Sequence, residues 1–194
     1  MEPLIAVYDA CVLYSAFLRD LLMRVAIHGR AQDALRAKWT GRIHREWVRA
    51  VRRQRPDLPL SKLLHTCRLM DRHVRGSRVR QYERWERRLT LPDPNDRHVL
   101  AAAIACVADV IVTFNVADFP AEALSPFGIA AVTPDTFLFQ LLGLGPVVVV
   151  SAVAEHRASL QRPPMSAEEY LEALRRNSVP GLAAALAADW QGQI

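Results

Sequence analysis

Three short apolar runs, at residues 4–8, 110–113 and 129–132, most tightly constrain the fold of this chain. They are shorter than helices usually are and more apolar than loops, so each is expected to form a strand buried on both faces. Helical periodicity fills the stretches between them. It predicts helices over residues 16–27 (closed by Gly29), 40–53, 61–74 (capped by Ser61) and 97–108 (introduced by Asn95 or Asp96 as N-cap). Strands separated by helices imply a parallel sheet. The expected class is therefore α/β, three-layered, with helices on both faces of a short sheet.

After residue 142 the pattern changes to helix alone. Residues 146–160 keep helical spacing despite four consecutive valines. Ser166 to Glu169 form a capping box opening a helix to about Arg176, and an alanine-rich helix follows over 179–190. The expected organisation is a domain at residues 1–142 and a helical extension at 143–194. The apolar faces of that extension are free to pack on the domain, on a second copy or on a partner.

Four carboxylates stand at the ends of apolar segments: Asp9, Glu46, Asp96 and Asp118. Each has a plain structural reading. Asp9 and Asp96 suit helix caps, Glu46 suits a surface ion pair among Arg42, Arg45 and Arg49, and Asp118 suits a loop. Asp93 reads as turn chemistry in Pro-Asp-Pro, yet within reach of a metal. Burial of the segments would carry the four acids to one edge of the core, where like charges repel unless a cation joins them. Oxygen-rich sites of this kind take Mg²⁺ or Mn²⁺, and their usual work is phosphoryl chemistry.

The charge distribution agrees. From Arg24 to Arg88 there are 19 Lys and Arg against 6 Asp and Glu, a net +13 that leaves −8 elsewhere in a chain whose total is +5. A basic block beside an acidic cluster suits a polyanion substrate, with Arg45, Arg49, Arg52 and Arg53 as the expected phosphate contacts; a solvated arginine-rich surface is the alternative. Cys11, Cys67 and Cys106 have no metal-binding spacing and are expected as reduced core residues of a cytoplasmic protein. No apolar run is long enough to span a membrane, and no signal-peptide pattern opens the chain.

Taken in order, VYDACVLYSAFLRDLL, IHREWVRAV and DPNDRHVLAAAIACVADVIVTFNVADFP resemble the PIN-domain ribonucleases, particularly the VapC-like toxins of bacterial toxin–antitoxin pairs. The resemblance runs from Leu4 to about Val132. It implies that Asp9, Glu46, Asp96 and Asp118 are the four catalytic acids, with Asp9, Asp96 and Asp118 on one or two Mg²⁺ (or Mn²⁺) ions. Thr113 and Asn115 fall on polar positions beside the fourth acid. The resemblance also implies hydrolysis by metal-activated water, and an antitoxin that inserts Arg or Lys among the acids. Cys11 stands where many members have Asn, so support for Asp9 is expected from elsewhere.

No side-chain nucleophile is suggested, because Ser15 and Cys11 lack an evident histidine partner. His98 reads as a packing or capping residue, and His44 as a phosphate contact or a solvated side chain. The first strand lacks the second Asp of a HAD-type phosphatase and the glycine-rich turn of a dinucleotide site. A non-catalytic RNA-binding module, or a housekeeping nuclease without an antitoxin, remains as the alternative.

Overall fold

The computed structural model describes residues 2–161 and 163–194. Four parallel strands form one sheet in the order β2-β1-β3-β4: β1 Leu4–Tyr8, β2 Leu35–Lys38, β3 Val110–Val112 and β4 Ala130–Val132. β1 is central, pairing with β2 from Leu4↔Leu35 to Val7↔Lys38 and with β3 from Ala6↔Val110 to Tyr8↔Val112. Ala6, Val7, Tyr8, Ile111 and Val112 have no exposure to solvent, as expected for strands covered on both faces. At β4 Ala130 is exposed and Ala131 and Val132 are half-buried, so the third run, expected to be buried on both faces, is instead an edge of the sheet.

β2 was not expected from the sequence. Its residues alternate, Leu35 and Ala37 buried with Arg36 and Lys38 half-exposed, because it is an edge strand. Gly29 has a different role from the one expected. The helix α1, Ala16–Ala31, runs through it. A Cβ at Gly29 would lie 2.5 Å from Cβ of Leu35, so the glycine allows α1 to approach β2 closely.

α2, Gly41–Gln54, starts from a Thr40 cap and buries Ile43, Trp47, Val48 and Val51. α3, Leu60–His73, begins one residue earlier than expected with Pro59 at its N-cap, so Ser61 does not cap it. A single-turn helix α4, Glu83–Glu86, follows. Asp93, not Asn95 or Asp96, caps the next turn. Its carboxylate accepts from Asn95 N over 2.8 Å, and the 3₁₀ turn Pro94–Asp96 leads directly into α5, Arg97–Ala105.

A short helix α6, Ala121–Leu124, precedes β4, and α7 follows as Pro134–Leu144. Then come α8 Pro146–Ser159, α9 Ala167–Arg176 and α10 Pro180–Asp189. The capping box at Ser166 and Glu169 forms as the sequence predicts. These last helices fold back on the rest of the chain. α8 packs along α1, α7 lies against α8 and α10, and α9 packs on α10. Tyr170, Leu171, Leu174, Leu182, Ala183 and Leu186 are buried in that packing. Of the three arrangements open to these apolar faces, packing within the chain is the one the structure shows for the buried residues of α9 and α10.

Candidate active site

In a parallel sheet, side chains that follow the strands gather at the C-terminal edge. Asp9 follows β1 and Thr113 follows β3, and both are buried there. Asp9 N donates to Val112 O over 3.1 Å, continuing the ladder past the end of the strand. Oδ1 of Asp9 accepts from Ala10 N at 2.6 Å, and Oδ2 accepts from the Thr113 hydroxyl at 2.8 Å. Thr113 Oγ1 in turn accepts from Asn115 N at 3.0 Å.

Cys11 contributes more than its chemistry suggested. Its Sγ donates to Asp9 Oδ2 at 3.1 Å and accepts from Phe114 N at 3.2 Å. The thiol thus bridges the loops after β1 and β3 and itself supports Asp9, which corrects the expectation that this support comes only from elsewhere. Burial, and then the nearby charge of Asp9, push its pKa up to about 12, so it stays a protonated donor.

Asp96 lies at the start of α5 with its carboxylate free of capping duty. Burial pushes its pKa up to about 6. Asp9, Asp93 and Asp118 add to the rise through their negative charge, while His98 opposes it. Asp118 is half-buried at the end of the 3₁₀ turn Val116–Asp118, anchored by buried Phe119. Asp9, Asp93 and Asp118 therefore all lie within electrostatic reach of Asp96. Among the described residues, no three His, Cys, Asp or Glu side chains already converge as a cage around an ion.

Glu46 stands at the side of this group. His98 Nε2 donates to its Oε2 at 3.0 Å, and Arg42 Nε donates to its Oε1 at 3.1 Å. Burial raises the pKa of Glu46, but the hydrogen bonds from His98 and Arg42 outweigh that and hold it below the usual carboxylate range. His98 is fully buried, and it joins α5 to α2 as partner of an acid. Nothing in the spacing of His98 and Glu46 along the chain reveals this pairing.

Arg45, Arg49, Arg52 and Arg53 are exposed along α2, and none is ion-paired among the described residues. Glu46, Arg49, Arg52, Arg53 and Pro56 line a depression of about 600 Å³, and Glu46 and Arg53 line a second one that reaches Ala10 and Cys11. His44 is neither solvated nor a phosphate contact. It is buried, accepts from Trp47 Nε1 at Nδ1, and donates from Nε2 to Asp71. Asp71 also accepts from Trp39 Nε1 and Arg78, which makes this a structural hub between α2 and α3.

A four-stranded parallel sheet with aspartates beside its C-terminal edge and a basic helix alongside defines the class as α/β. The chain belongs to the PIN-domain family, whose sequence model matches residues 6–117. Residues 134–188, spanning α7 to α10 almost completely, match the model described as the VapC50 C-terminal domain. Over 89 residues the chain is 40% identical to a protein named "Putative ribonuclease VapC50" from Mycobacterium tuberculosis (strain ATCC 25618 / H37Rv), a match covering 46% of this chain and 52% of that protein. The chain thus spans about half the length of the curated relative it matches. No solved structure matches it.

Proposed function

We propose that this protein is a divalent-cation-dependent endoribonuclease, the toxin of a VapC-like toxin–antitoxin pair. The observation that carries this reading is the environment of Asp96: partly buried, held up to about 6, and facing Asp9, Asp93 and Asp118. Such repulsion is unfavourable in the resting protein and is relieved by a cation.

The donor set suits a hard ion. The carboxylates of Asp9, Asp96 and Asp118 offer oxygen, while Cys11 remains a protonated thiol, which favours Mg²⁺ or Mn²⁺ over softer metals. Such an ion, when bound, supplies positive charge to the scissile phosphate and lowers the pKa of a water molecule. The chain's own residues do the rest. Thr113 and Cys11 orient Asp9 before substrate arrives, so little reorganisation is needed during reaction. Glu46, kept ionised by His98 and Arg42, is assigned as acceptor of the proton from the attacking water. Asp93 and Asn115 lie just outside this set as supporting polar groups. Arg45, Arg49, Arg52 and Arg53 hold the RNA backbone through their phosphates.

The antitoxin we infer blocks the cluster with an Arg or Lys side chain. The relative's name supports the ribonuclease activity. The three free thiols suit a reducing compartment, the cytoplasm, and no helix among the described residues is long and apolar enough to cross a membrane.

The test is cleavage of single-stranded RNA by purified protein with and without Mg²⁺, together with calorimetric titration of the cation. Mg²⁺-dependent cleavage supports the reading. RNA binding with neither cleavage nor cation uptake would replace it with a non-catalytic RNA-binding module, which the unpaired arginines would serve equally well.

A further inference from the structure

The α9–α10 junction touches both flanks of the catalytic edge. On one side is Ser15, which ends the loop that begins at Asp9. Its hydroxyl caps α1 by accepting from Leu18 N at 3.3 Å, and donates to Oδ1 of Asn177 at 2.9 Å. The orientation of that amide is settled by its other end, where Nδ2 donates to Ala173 O at 2.9 Å. On the other side is Asp135, in the first turn of α7 just after β4. Its two oxygens accept from Gly181 N and Leu182 N, each at 2.9 Å, and cap α10, which has no capping side chain of its own. A Cβ at Gly181 would lie 2.8 Å from Asp135 Oδ2, so glycine is needed for that approach.

Between these two anchors Ser178, at φ +63°, ends α9 as the left-handed residue of a Schellman motif, with Ser178 N donating to Arg175 O and Val179 N to Leu174 O, each at 3.1 Å. The loop from Asp9 to Ser15 is also held by the Asp9 contacts at its start, by Cys11 to Phe114 N, by the Tyr14 hydroxyl to Gln54, by the buried side chains of Val12 and Leu13, and by Arg19. Arg19 donates to Leu13 O at 2.6 Å and Tyr14 O at 3.3 Å while lying over the Trp47 ring. The contact at Ser15 comes from 162 residues further along the chain.

We propose that the C-terminal helices are a working part of the nuclease site, with Asn177 a positioning residue that acts through Ser15 on the loop presenting Asp9. This rests on the nuclease reading above. The junction does not touch substrate in this proposal. It sets how firmly the first acid is held, and so how tightly the site takes its cation.

The experiment compares the full-length protein with Asn177→Ala, Ser15→Ala, the double variant and Ser15→Thr. Three readouts are used: Mn²⁺ calorimetry, steady-state cleavage of a single-stranded RNA, and amide hydrogen exchange. Asn177→Ala is expected to weaken Mn²⁺ binding and lower kcat by about ten-fold each, the scale of losing support behind a metal ligand. KM for RNA is expected to stay within about two-fold. Exchange should accelerate across residues 9–18 and stay unchanged in α2 and α3. Ser15→Ala should show the same losses, with Asn177→Ala adding almost nothing on that background, and Ser15→Thr should behave as wild type.

Unchanged Mn²⁺ affinity and unchanged exchange over 9–18 in Asn177→Ala would overturn the proposal. So would a full additional loss on the Ser15→Ala background, which marks a purely structural role. A wild-type protein that takes up no Mn²⁺ and cuts no RNA would overturn the nuclease reading, and with it the functional part of this one. The exchange data would then still decide whether Asn177 holds the Asp9 loop.

Discussion

The hydroxyl of Thr113, just after β3, donates to Oδ2 of Asp9, just after β1, across 2.8 Å and between residues 104 apart in sequence. This buried bond aligns one oxygen of the first acid. Thr113→Val keeps the shape and removes the donor, so cation affinity and cleavage are expected to fall by about ten-fold or more while the fold is retained. Asp9→Asn and Asp96→Asn are expected to go further and abolish Mg²⁺-dependent cleavage. Thermal stability of Asp96→Asn without metal should equal or exceed wild type, because repulsion from the other aspartates is relieved. Asp9→Asn instead turns an NH2 toward a donor and is expected to lose about 1 kcal/mol. Undiminished cleavage by both purified aspartate variants would show that the site lies elsewhere.

Cys11 carries a second prediction. Ser at this position keeps a donor for Asp9 and an acceptor for Phe114 N, and is expected to cleave within about three-fold of wild type. Ala removes both bonds and is expected to cost about ten-fold in activity, with about 1 kcal/mol in stability. Equal activity of the two variants, measured beside their melting temperatures, would mean that the thiol only fills space.

The arginines of α2 are testable through salt. Reversing two charges among Arg45, Arg49, Arg52 and Arg53 releases fewer counterions on binding RNA. The slope of log affinity against log salt should become shallower by about one to two, and affinity at low salt should fall. Equilibrium binding over a range of salt concentrations measures both, and wild-type values of both would leave α2 as an ordinary solvated surface.

His156 predicts a pH dependence of stability. It is buried in α8, where its Nδ1 lies 2.7 Å from the Tyr170 hydroxyl, its ring packs on Phe17, and Asp20 lies 3.4 Å from Nε2. Burial lowers its pKa to about 4, against the smaller opposing pull of Asp20. Between about 4 and the ordinary value of about 6.5, the unfolded chain therefore binds the proton that the folded chain refuses. Stability should be full above pH 6.5 and decline as pH falls toward 4, by a total on the order of 3 kcal/mol. Chemical denaturation of wild type and His156→Gln at pH 7.5, 6 and 5 checks this. The variant should be weaker at pH 7.5 and lose less on acidification, and parallel losses would show that His156 is not responsible.

Much of this protein was legible in the sequence because burial is a local property of a run of residues. The apolar strands at β1, β3 and β4, the acids at their ends, the α2 helix with its buried Trp47 and the capping box at Ser166 are all written in neighbouring side chains. The edge strand β2 was not legible. A short strand with one half-exposed face, LRAK, leaves a pattern no stronger than a loop's.

Tertiary structure alone decided what touches what. Asp93 caps its own turn and thereby leaves Asp96 to the cluster. His98 pairs with Glu46, and Cys11 bridges Asp9 to Phe114. Asn177 reaches Ser15 from the far end of the chain. Each of these is a directional hydrogen bond between groups brought together by packing. Its existence depends on positions set to a few tenths of an ångström by the whole core, which no local pattern of polarity encodes.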